Sequence, residues 1–206
     1  MARFLDVHPV DPQPRAISQI VELLRGDGLI AYPTDSGYAL GCQLGNRDGV
    51  DRIRAIRELD DKHHFTLVCR DFAQLGQLVH IDNAAFRAIK AATPGPYTFI
   101  LPATAEVPKR LMHPKKRTVG VRIPDHRFVR ALLEELGEPL LTSTLILPGE
   151  TEPMTESWLV KEELDHSVDA VIEAGEVLNA PTTVVDFSDG EPTIARVGAG
   201  DPSRFE

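Results

Sequence analysis

The chain has 206 residues, a net charge of −9, and 42% hydrophobic content. These values exclude a disordered segment and fit one domain with a substantial core, taken as residues 1–206. No apolar run approaches the roughly 18–20 residues that cross a bilayer, so no membrane partner is expected. The first fifteen residues, MARFLDVHPVDPQPR, lack the apolar centre of a signal peptide. Only Cys42 and Cys69 occur, without metal-ligand spacing; they allow a single disulfide, and two reduced cysteines in a cytoplasmic protein are the favoured expectation.

Gln13–Asp27 carries Ile17, Ile20, Val21 and Leu24 at helical spacing and ends at Gly26 and Gly28. Leu29–Tyr32 reads as a short buried strand. Residues 32–41, YPTDSGYALG, then place Thr34, Asp35 and Ser36 together. A core has little use for such a triplet, whereas a small polar ligand does. The structural alternative is a strand-to-helix turn in which Asp35 or Ser36 caps the next helix. Val50, Ile53 and Ile56 make Arg47–Glu58 helical. His63 and His64 are adjacent, weak as metal ligands and readable as exposed loop histidines.

Phe65–Cys69 is predicted as a strand, and Asp71–Val79 and Asn83–Ala92 as helices. Thr93-Pro94-Gly95-Pro96 is a breaker before the strand Tyr97–Leu101. Thr118–Ile123 is another strand, with Arg122 alternating against Val119, Val121 and Ile123. A mid-strand arginine needs an anion, from a ligand or from an internal Asp or Glu. Arg127–Leu136 is a helix stopped by Gly137. Leu140–Leu147 is a strand rich in hydroxyls, with Thr142, Ser143 and Thr144 in a row. Glu156–Leu164 is a helix, and Val168–Glu173, Thr183–Phe187 and Pro192–Arg196 are strands. The interleaving lacks a strict βαβ repeat, so the expected fold is a single α/β domain on a mixed sheet.

The charge is asymmetric: residues 1–130 hold 19 Lys and Arg against 14 Asp and Glu, and residues 131–206 hold 3 against 17. The basic excess peaks at Lys109–Arg130, around Lys109, Arg110, Lys115, Lys116 and Arg117. Such a cluster suits phosphates, in a nucleotide or an RNA backbone; the plain alternative is a solvated surface loop. No nucleophile elbow, P-loop or H-E-x-x-H is present. Hydroxyls and arginines without a general base suit phosphate chemistry that works by positioning and charge neutralisation.

Five ordered segments resemble the YrdC/Sua5 family, most closely its YciO branch. YPTDSGYALG is similar to that family's YPTDT-x-YGLG, and TPGPYTFIL to its WPGP-x-T-x-x-L. TVGVRIPDH is similar to T-x-G-x-R-x-P, and PTTVVDFSDGEPTIARVGAG to STVVD…ILRxG. PLLTSTLILPG lies between the last two. The resemblance spans about residues 15–200. It implies a twisted mixed-sheet domain with a large concave basic face that binds double-stranded RNA. It also implies a synthase that joins threonine, bicarbonate and ATP into threonylcarbamoyl-adenylate and pyrophosphate, for modification of tRNA. ATP and Mg2+ would then be required, with no tightly bound cofactor. By the same resemblance, Thr34, Ser36, Arg122, Thr142 and Thr182 would contact the amino acid. Thr118, Thr144 and Arg196 would contact the nucleotide.

Two positions depart from that pattern. The family's Lys-x-Arg is Arg57-Glu58-Leu59 here, with Lys62 nearby as a substitute cation. Its Ser-x-Asn is Thr144-Leu145-Ile146, which keeps the hydroxyl and loses the amide. Loss of two polar ligands at about 1–3 kcal/mol each implies adenylate formation slowed by roughly two to four orders of magnitude. Alternatives are a non-catalytic RNA-binding module and an enzyme acting on a related carbamoyl- or acyl-adenylate.

Overall fold

The computed structural model describes residues 1–60 and 63–206. Lys62 therefore lies outside the described residues. The strands are β1 (Arg3–Asp6), β2 (Ile30–Thr34), β3 (Gly37–Gln43), β4 (Thr66–Val68) and β5 (Tyr97–Pro102). They continue as β6 (Thr118–Arg122), β7 (Leu140–Thr144), β8 (Ala170–Glu173), β9 (Thr183–Asp186) and β10 (Thr193–Arg196). The helices are α1 (Pro14–Arg25), α2 (Arg47–Arg57), α3 (Phe72–Leu78), α4 (Asn83–Ala92), α5 (Arg127–Leu136) and α6 (Ser157–Leu164).

All ten strands join one mixed sheet in the order β1-β8-β2-β3-β7-β4-β6-β5-β9-β10. Helix starts follow local chemistry. Asn46, Asp71 and Asp82 each accept a backbone N–H three residues on, at 2.8 Å, and so cap α2, α3 and α4. α5 stops at Gly137, whose φ of +78° suits a residue without Cβ.

The register sorts side chains onto two faces. Gly41, Thr142, Thr66, Gly120, Ile100 and Asp186 stand opposite one another across six strands. Partners in register point to the same face, so the alternate residues Leu40, Leu141, Leu67, Val121, Phe99 and Val185 face the other way. Those alternates form the larger core, together with Val50 and Ile53 of α2 and Ile89 of α4. On the first face, α1 and α5 cover only part of the sheet. Their Ile17, Ile20, Leu24, Phe128 and Leu132 pack on Ile30, Tyr32, Val68, Leu140 and Ala170. The stretch of this face around Thr66, Thr98, Gly120 and Val184 is a cleft instead of a core.

Three sequence expectations change. Residues 32–41 form a β-hairpin, because β2 and β3 pair antiparallel across Asp35 and Ser36. No helix follows for Asp35 or Ser36 to cap. Gly37 has φ +101°, and a Cβ there would lie 2.5 Å from Pro153 Cβ. The turn therefore needs glycine for both conformation and space. β7 ends at Thr144, three residues before the expected end. β1, at the sheet edge beside β8, has no expected counterpart.

Candidate functional site

Two linked clusters occupy the open face. The first surrounds the hairpin turn. Arg122, 5% exposed, donates from Nη1 to Ser36 Oγ at 2.8 Å and from Nη2 to Asp35 Oδ1. Asp35 Oδ2 accepts the Asp125 backbone N–H at 3.0 Å. Thr34 Oγ1 donates to Gly37 O at 2.7 Å and lies 3.2 Å from Ser36 Oγ. The anion that a mid-strand arginine needs is therefore Asp35. Arg122 Nε is buried with no hydrogen-bond partner, so the guanidinium retains one unused donor.

Thr142 is bound into the sheet beside this cluster. It accepts from the Tyr32 hydroxyl at 2.9 Å and donates to Leu40 O at 3.0 Å. Burial pushes the Tyr32 phenol up to about 12, so it is a donor at neutral pH.

The second cluster is the cleft, which encloses about 340 Å³. Its walls include Arg57, His63, His64, Thr144, Thr182 and Arg196, with Ile100 and Val184 on the floor. Gly120 keeps the floor low. A Cβ there would meet Thr66 Oγ1 at 2.8 Å. β4 pairs with β7 only as far as Thr66 opposite Thr142. Beyond that point Arg57 hydrogen-bonds to Ser143 Oγ at 2.6 Å and Ile146 O at 3.2 Å. Arg196 donates to Thr182 O at 2.9 Å and Thr182 Oγ1 at 3.0 Å, and Thr98 and Thr182 hydroxyls lie 2.9 Å apart.

No carboxylate lines the cleft among the described residues. Burial, then the charge of Arg196, lowers Arg57 to about 10. Burial, then the charge of Arg122, lowers Arg196. Arg57, Arg196 and Arg122 thus feel one another in sequence, and Asp35 is the carboxylate paired with Arg122 at the end of this row. An anion entering the cleft would relieve the repulsion. A cavity of about 700 Å³ near Arg3 and Arg52 is larger, but it mixes those arginines with Glu22, Asp27, Asp165 and Asp169. That mixture gives an anion no comparable advantage.

Thr144, Thr182, Arg57 and Arg196 share this cleft. Thr118 stands beside it, 1% exposed, with its hydroxyl 3.0 Å from His64 Nε2. The basic cluster divides. His113 stacks on His64 with ring centroids 4.9 Å apart and accepts the backbone N–H groups of Lys115 and Lys116. Lys115 and Lys116 therefore sit on the turn that the His64–His113 stack holds to the cleft. Arg117 follows in the left-handed region at φ +54°. Arg110, by contrast, donates to Leu44 O at 2.6 Å, after β3, in the 3₁₀ turn that also holds Lys109.

His63 and His64 are half-buried residues of the site rather than exposed loop histidines. Thr66, Thr98 and Ser143 also belong to it. For the threonines the available signal was strand alternation with Gly120 and Thr182. Among the described residues no group of three His, Cys, Asp or Glu could hold a metal ion. Cys42 and Cys69 are buried and unpaired.

A profile of the Sua5/YciO/YrdC family, described as telomere recombination, matches residues 22–198. The chain belongs to this family. It is 46% identical to the YciO protein of Escherichia coli over all of both chains, and the crystal structure of that protein superposes with a TM-score of 0.97. It is 31% identical to the threonylcarbamoyl-AMP synthase of Vibrio vulnificus, covering 76% of this chain and 84% of the synthase. Sua5 of P. abyssi, solved in complex with L-threonine, superposes with a TM-score of 0.86 at 25% identity over 95% of this chain and 57% of Sua5.

The two departures from the family motifs have definite places. Leu59 packs, partly buried, against the larger core and does not line the cleft. Leu145 is fully buried, and Ile146 stands in the cleft wall where the family pattern has an amide.

Proposed function

We propose that the cleft binds a nucleotide, with the phosphates between Arg57 and Arg196. A threonine-like amino acid binds against Thr34, Ser36 and Arg122, and the chain performs a weakened or redirected form of threonylcarbamoyl-adenylate chemistry. The observation that carries this reading is the row of three arginines beside a hydroxyl-lined cleft with no carboxylate in its lining among the described residues. The V. vulnificus synthase and the threonine complex of P. abyssi Sua5 support it.

In such a reaction the amino nitrogen bonds to bicarbonate carbon, a C–O bond breaks, and water leaves to give a carbamate. A carbamate oxygen attacks the α-phosphorus of ATP, and pyrophosphate leaves. Negative charge grows on the leaving oxygens, and Arg57 and Arg196 stand where it can be neutralised. Arg122 Nε supplies a donor for the amino-acid carboxylate. Imidazoles and hydroxyls without a carboxylate make a poor set for a hard cation, so Mg2+ would arrive bound to ATP. Ile146 in place of an amide, and Leu59 turned into the core, remove two polar groups from the nucleotide side.

Given threonine, bicarbonate, ATP and magnesium, the purified protein is expected to release pyrophosphate roughly two to four orders of magnitude more slowly than a relative with both motifs intact. Equal rates would sink the altered-site reading. Absence of ATP binding by calorimetry would sink the nucleotide reading.

Duplex RNA, including tRNA, is the macromolecular partner of this proposal, held by Lys115, Lys116 and Arg117 at the His113 turn. Changing all three to alanine is expected to weaken RNA binding and flatten its log–log salt slope by about two to three. An unchanged slope in a filter-binding titration would remove this turn from the RNA surface.

A further inference from the structure

His63 lines the cleft with Arg57 and Arg196 and is half-buried there. Among the described residues, the groups that face it come from several elements. Arg54 and Arg57 project from α2, Asp60 precedes it, His64 follows it, and the Phe65 ring lies edge-on at 5.8 Å. Arg196 closes the cleft from β10. The His63 backbone N–H donates to Asp60 O at 3.3 Å, which fixes the start of the segment.

We infer that His63 is an anion-binding residue of this cleft, which takes a proton from solvent when a polyphosphate enters and donates the resulting N–H to it. The inference rests on the nucleotide-binding reading and extends it by one residue and one proton. Without ligand the ring is neutral. Burial first, then Arg57 and His64, depress it to about 4, against the smaller opposing effect of Asp60. An incoming polyphosphate leaves the burial in place and acts against it through charge. It neutralises Arg57 and brings negative charge to the ring. One such charge about 4 Å away, at an effective dielectric near 20, changes a protonation constant by a factor of about a thousand. That is enough to carry His63 from about 4 to the neutral range.

His64 is placed for a different role. Its Nε2 is engaged with Thr118 Oγ1 and its ring is stacked on His113. Burial, then His113, lowers it too, and the stacked rings hold the Lys115–Lys116 turn. Among the described residues His63 is in no such stack, and it lines the cleft beside Arg57. The sign of the linkage is fixed: the complex holds more protons than the free protein, so affinity falls as pH rises.

Calorimetry with inorganic pyrophosphate, on the full chain at pH 6.5, in two buffers of different ionisation enthalpy, tests this. The wild type is expected to take up about half to one proton more per bound pyrophosphate than His63→Gln. Its affinity, relative to the variant, is expected to fall about three- to tenfold per pH unit between pH 5.5 and 7. Equal proton counts would overturn the role of His63 while leaving the nucleotide reading intact. Failure of pyrophosphate to bind would overturn both. NMR titration of the His63 imidazole in the wild type, with and without pyrophosphate, decides the matter even if the variant does not fold. An unmoved midpoint overturns the inference.

Discussion

Arg122→Met is expected to destabilise the protein by about 3–5 kcal/mol, the range for breaking a buried ion pair from one side. The Arg122 and Asp35 side chains are 6% and 13% exposed, so little solvent is at hand to rescue a stranded carboxylate. Asp35 also accepts the Asp125 N–H, which ties the β2–β3 turn to the segment before α5. Loss of the guanidinium therefore disturbs two connections, and for a chain of this size the midpoint of thermal unfolding is expected to drop by roughly 6–20 °C. Arg122→Met combined with Asp35→Asn removes both charges and is expected to recover a large part of that loss, because the desolvation cost disappears with the pair. If the double variant melts no higher than the single one, the carboxylate is not the source of the instability. Both variants are expected to lose threonine binding, since Nε and the ordered hairpin turn go together. Retained threonine affinity in either would move the amino-acid site elsewhere.

That pair also marks the boundary of what the chain discloses as a string. Alternation across residues 118–123 was enough to place Arg122 on the face opposite Val119 and Val121, and to require an anion for it. It could not name Asp35, which is 87 residues away and reaches Arg122 only because β2 and β3 form a hairpin. As a string, Tyr-Pro-Thr-Asp-Ser-Gly was open to a ligand site or a strand-to-helix cap, and the hairpin was not among its readings. Pro153, packed against Gly37, belongs to a distant loop that local propensity does not see. Helices were more legible, because the periodicity of Ile17, Ile20, Val21 and Leu24 is local. β1 was not, since Arg3–Asp6 is a short edge strand with half-exposed Phe4 and no buried alternation of its own.

The same distinction holds within the cleft. Arg196 and Thr182 could be singled out as polar residues near strand ends, and their mutual hydrogen bonds join them in space. His63 and His64 carried no usable pattern. Their importance comes from β4 being only three residues long. The short strand leaves a gap beyond Thr66, into which Arg57 and both imidazoles fit. Strand length at that point was set by the sheet and not by any turn signal in the sequence. Lys109 and Arg110 show that one basic run in the chain spans two local structures. Arg110 reaches Leu44 from the 3₁₀ turn Lys109–Leu111, whereas the lysines sit on the separate turn after His113.

Ile146→Asn is expected to raise pyrophosphate release about 10- to 100-fold, the largest gain available from one substitution in this site. Ile146 already lines the cleft, and its carbonyl already accepts from Arg57 Nε at 3.2 Å. The backbone is therefore in place, and only the side chain lacks a polar group. An amide there adds a donor and an acceptor next to the nucleotide. A hydrogen bond to a charged group contributes about 1.5–3 kcal/mol, which spans the expected gain if it acts on the transition state. The cost in folding is small, because Ile146 is only partly buried. Leu59→Arg is the contrasting case. Leu59 packs against the larger core, and its N–H bonds to Arg54 O at 3.0 Å, so a guanidinium there must leave the core before it can serve a phosphate. Its gain is expected to be below tenfold, with a lower melting temperature. If kcat rises with Ile146→Asn while the KM for ATP stays constant, the amide acts in the transition state. If only KM falls, it acts in binding. If neither changes, the missing amide is not what limits this site, and the chemistry of the cleft belongs to a different acyl acceptor.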